Sequence, residues 1–70
     1  MLALIGKYVI NLDYLAYAID DAELDSVVLT MAKENPQGEL QLVLSGQDRT
    51  LFFKIVSQVL DSNGISIFRK

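Results

Sequence analysis

The stretch Leu2–Ile10 constrains this chain more than any other part of it. It reads Leu-Ala-Leu-Ile-Gly-Lys-Tyr-Val-Ile. A strand covered on one side only should alternate apolar and polar residues. Read as one strand, this segment sets Leu2, Leu4, Tyr8 and Ile10 on one face and Ala3, Ile5 and Val9 on the other. Both faces are apolar, and a chain of 70 residues has little material with which to cover both. The second face is expected to meet another copy of the chain or a different protein.

Size sharpens that expectation. Residues 1–70 are read as a single domain. A domain this small buries only roughly 60% of its unfolded surface, so a lone subunit is marginally stable. The sequence has no cysteine to staple it, and no histidine or tryptophan. At 51% hydrophobic residues it lies far from the disordered composition. High apolar content without staples favours gaining buried area by association, with a homodimer as the expected assembly.

The rest of the chain alternates and then changes period. Asn11-Leu12-Asp13 reads as a turn, with Tyr14–Ile19 a second strand and Ser26–Ala32 a third. Lys33–Gly38 is a turn punctuated by Pro36 and Gly38. Glu39–Ser45 alternates most cleanly, with Leu40, Leu42 and Leu44 on one side and Val43 on the other. Leu51, Phe52, Ile55, Val56, Val59 and Leu60 then recur at three- and four-residue spacing, which predicts a helix over 49–62. Ser45 or Asp48 can cap its start, and Asn63-Gly64 supplies a stop. Ile65–Lys70 alternates weakly and reads as either a fifth strand or a tail. The predicted fold class is α+β: an antiparallel sheet of four or five strands in the order β-β-β-β-α, with an optional final β and one helix packed on one face.

One helix covers one face of such a sheet, so apolar residues on the other face become interface candidates. These are Ile5, Val9, Tyr14, Val28, Val43, Ile67 and Phe68, with Phe53 as an aromatic at the edge of the helical stripe. A few such residues expose several hundred Å², the size at which an apolar patch needs a reason. The partner is expected to be a second copy, with a heterologous protein as a further occupant.

Chemistry finds little footing in these residues. Asp20, Asp21, Glu23 and Asp25 form an acidic loop whose spacing does not match a calcium loop. Ser45–Thr50 joins a strand to a helix, but lacks the glycines and lysine of a phosphate loop. With no histidine, and with carboxylates that do not pair as acid and base, no catalytic, cofactor or metal site is expected, and the chain is read as a non-enzyme. Net charge is −3, and no basic residue occurs between Tyr8 and Ala32. That acidic half opposes a nucleic-acid surface, which requires clustered positive charge. The alternative reading is a small nucleic-acid-binding regulator using Arg49, Lys54, Arg69 and Lys70. The apolar start has no basic n-region and is broken by Gly6, Lys7, Asn11 and Asp13, unlike a signal peptide or a membrane span. A cytoplasmic location and no membrane partner are expected.

The order of the pieces resembles the short flagellar FlbD-like proteins and related short bacterial proteins. The matching residues are Gly6-Lys7, Ile10-Asn11-Leu12-Asp13, Leu15 and Tyr17, then Val27-Val28-Leu29-Thr30 and the helix, covering about residues 6–60. The glycine that follows the third-strand threonine in that family is replaced here by Met31-Ala32 and the longer Lys33–Gly38 loop. The resemblance implies a small β-rich accessory or regulatory protein rather than an enzyme.

Overall fold

The computed structural model describes residues 1–59 and 65–70. The apolar start is not one strand. It folds back on itself as a hairpin of β1 (Leu2–Ile5) and β2 (Tyr8–Asn11). Gly6 and Lys7 form the two-residue turn, with Gly6 at φ +58. A positive φ at the first central position alone is the mark of a type II′ turn, where glycine carries no steric penalty. The turn also changes which residues share a face. Ala3 pairs with Ile10 and Ile5 with Tyr8, so these four point one way, while Leu2, Leu4, Val9 and Asn11 point the other.

A single 3-10 turn at Leu12–Tyr14 leads into β3 (Leu15–Asp21). β4 (Ser26–Met31) and β5 (Gln41–Ser45) follow as an antiparallel meander. α1 (Gln47–Val59) then leads to the far edge, where β6 (Ser66–Arg69) lies parallel to β3. The main sheet is therefore four-stranded and mixed, in the order β5-β4-β3-β6, with the β1-β2 hairpin as a separate two-stranded sheet. This corrects the all-antiparallel expectation. A parallel neighbour needs a long crossover, and α1 belongs to that connection. The expected helix end at 60–62 and its Asn63-Gly64 stop lie outside the described residues.

The core forms between the sheet and what covers it. Ala18, Val27, Leu29, Met31, Leu42 and Leu44 face inward and meet Phe52 and Val56 of α1. Ile5, Ile10 and Leu12 complete the same cluster from the hairpin side. Leu40, expected to extend the strand and to share a side with Leu42 and Leu44, lies before β5 and is exposed, as is Leu51 at the edge of the helical stripe. Asn35, only 3% exposed, fastens the long β4–β5 loop to β2. Its amide donates to Val9 O at 2.7 Å and its Oδ1 accepts from Asn11 N at 2.9 Å, which occupies part of the free edge of β2.

Candidate functional site

The open face of the main sheet carries the arrangement with most functional content. Strand register aligns Phe68 of β6 with Ile19 of β3, Ile19 with Val28 of β4, and Val28 with Val43 of β5. These four side chains form one apolar stripe that runs across every strand. A polar row borders each side. Ser66, Tyr17, Thr30 and Gln41 line one border, and Asp21, Ser26 and Ser45 the other. Phe68 is 58% exposed, Val43 57% and Ile19 38%. The Tyr17 ring meets Phe68 edge to face, with centroids 6.1 Å apart. An apolar centre with a polar rim is the anatomy of a protein interface.

The covered face at the same edge holds charge. Asp20 is 1% exposed, although its neighbours Ile19 and Asp21 point to the open side. Arg49 of α1 grips it with two hydrogen bonds, Nε to Oδ1 at 2.7 Å and the second guanidinium nitrogen to Oδ2 at 2.8 Å. Arg69 of β6 adds a third at 3.0 Å to Oδ2. A further Arg49 nitrogen donates to Asp25 at 3.0 Å. Both guanidinium groups lie over the Phe53 ring, at 5.6 and 5.8 Å from its centroid. The Arg49 hydrogen bonds hold the Asp20 carboxyl below its ordinary value of 3.8; burial pushes the other way, and the charges of Arg49 and Arg69 add to the lowering. The same bond to Asp20 raises the Arg49 pKa above its usual range. This cluster joins β3, α1, the β3–β4 loop and β6 without offering a free acid or base.

The expected interface residues separate under this geometry. Val28, Val43 and Phe68 lie on the open face. Ile5 is fully buried in the core, which corrects its assignment to a partner-facing surface; the Gly6-Lys7 turn sends it inward. Tyr14, Phe53 and Ile67 pack against the core, and Phe53 also supports the two arginines. Val9 points outward on the hairpin beside Leu2 and Leu4, away from the stripe. Ile19 completes the stripe and was missed, though its alternation with Ala18 was visible in the sequence.

The four basic residues do not form a free patch. Arg49 and Arg69 bind Asp20, and Lys70 Nζ lies 3.9 Å from Asp21. Lys54 stands exposed on α1. Among the described residues, no three acidic side chains are placed to hold a metal ion. No helix among them is long and apolar enough to cross a membrane. Comparisons with family models, curated proteins and solved structures find no match to this chain.

Proposed function

We propose that this chain is a small non-enzymatic interaction module that works as a homodimer, with an accessory or regulatory role. The open faces of two copies pack on one another through the Phe68–Ile19–Val28–Val43 stripe. That uninterrupted stripe is the observation on which the reading rests. It leaves roughly 300 Å² of apolar surface in water per copy, a size that calls for a partner. Two stripes and their polar borders together bury about 1,000 Å², enough for a specific interface. A nucleic-acid role finds less support, because three of its four candidate contacts already face carboxylates.

Sedimentation at about 100 µM, in low and high salt, tests the reading. Two 7.8 kDa chains should travel together, and salt should not separate them. Val43→Asp should return the single-chain mass with an unchanged circular dichroism spectrum. A wild-type chain that sediments alone at that concentration removes the proposal.

A further inference from the structure

Leu24 is the most exposed large apolar side chain among the described residues, at 71%. It stands at the tip of the β3–β4 loop, amid carboxylates, where solvent alone gives it no role. The loop nevertheless holds it firmly. Leu24 N donates to Asp21 Oδ1 at 3.3 Å, and Asp25 N to Ala22 O at 3.2 Å. Gly46 N donates to Asp25 O at 3.0 Å, and Arg49 clamps the Asp25 carboxylate at 3.0 Å. Asp25 is the one non-glycine residue described with positive φ, at 49°. An apolar side chain presented by a pinned loop loses little freedom on binding, which is how preorganised anchors gain affinity.

Beside it the open face has a hollow. A depression of about 440 Å³ is lined by Ile19, Asp21, Leu24, Ser26, Val28 and Lys70. Its floor is the middle of the apolar stripe, and Lys70 stands at its rim, 71% exposed. Glu23, next to Leu24 at the loop tip, is exposed and carries the opposite charge.

We infer that the occupant of this hollow is the Leu24 loop of a second copy. The inference rests on the homodimer proposed above and specifies how its two copies meet. A two-fold axis lying between the faces and parallel to the strands brings both β3–β4 loops to the same end. Each Leu24 then enters the partner's hollow, and each Glu23 approaches the partner's Lys70, an exposed lysine whose 3.9 Å approach to its own Asp21 leaves it able to face a second carboxylate. The same axis sets the large Phe68 over the partner's small Val43, so the gap between sheets stays even. An axis along the stripe does neither: it sends each loop to the far end, over the Tyr17–Thr30–Gln41 row, and stacks Phe68 on its own copy. Self-complementarity of this reciprocal kind closes the assembly at two chains.

Sedimentation equilibrium on four variants tests the contact, with circular dichroism to confirm the fold. Leu24→Asp should weaken the dimer by about a hundredfold or more, because each dimer buries two such leucines at about tenfold to a hundredfold apiece. Glu23→Lys and Lys70→Glu should each weaken it by about twofold to thirtyfold, because each reversal breaks both rim charge pairs of the dimer. Combining the two reversals should restore wild-type affinity. If Val43→Asp separates the chains but Leu24→Asp does not, the stripe-mediated dimer stands and the Leu24 contact is wrong. If the two charge reversals weaken association additively instead of compensating, the proposed axis is wrong. If the wild-type chain is itself single, the dimer and the contact fall together.

Discussion

The two faces of the main sheet meet at β3, and their chemistry there is inverted, with charge on the covered side and apolar groups on the open one. On the covered side Asp20 is sealed from water among two arginines. On the open side its neighbour Ile19 continues a stripe of apolar side chains into solvent. Strand alternation explains how one residue step separates them. What differs is the covering. α1, carrying Arg49, and the hairpin lie on one side, so even a carboxylate is hidden there. The contrast teaches that a buried polar group is tolerable when a bidentate arginine satisfies it. Among the described residues nothing covers the apolar row on the open side.

Matched substitutions on the two faces sharpen the contrast. Leu29→Ala, on the covered side, should lower unfolding free energy by about 3 kcal/mol through lost burial and a cavity. Urea denaturation at low micromolar concentration reads this, and a loss below about 1 kcal/mol would show that the helix does not seal that face. Asp20→Ala should cost nearly as much, about 2–3 kcal/mol, because the arginines lose the charge that holds them. The wild-type contribution has a definite pH window. The folded pKa of Asp20 lies below its ordinary 3.8, so its stabilisation is present above about pH 4 and is lost as pH falls through the folded value. Stability curves of wild type and variant should therefore converge in acid; parallel curves down to pH 2 would contradict the ion cluster.

Gly6→Ala tests how the second covering element is made. Its φ of +58 disfavours a side chain, and a β-carbon there would collide with the Asp48 carboxylate at the start of α1. A loss of about 1–2 kcal/mol in thermal or urea unfolding is expected. The smallest effect belongs to the open face. Val28→Thr should change subunit stability by less than about 0.5 kcal/mol, and in the proposed dimer it should weaken association. A large loss of subunit stability without any change in mass would mean that this face is not an interface.

Periodicity made the larger pieces legible. Three- and four-residue spacing located α1, and alternation located β3, β4 and β5 to within about two residues. Within the candidate site, Val28 and Val43 were readable because each alternates with a leucine- or valine-rich inward row. The hairpin turn had a signal that went unused, a glycine at the first of two central positions. Missing it shifted the parity of everything before it and placed Ile5 outside. Leu24 carried no pattern at all, as one apolar residue in an acidic loop. The pairing of Asp20 with Arg49, 29 residues apart, has no local trace.

Local chemistry was enough to establish an α+β chain with more apolar strand surface than one helix covers. Side-chain period and turn preference act between near neighbours, and these survive in the bare order of residues. The parallel placement of β6, the burial of Asp20 and the continuous stripe from Phe68 to Val43 arise from contacts between distant segments. Their energies depend on which strands lie side by side, and that arrangement exists only once the whole chain has packed.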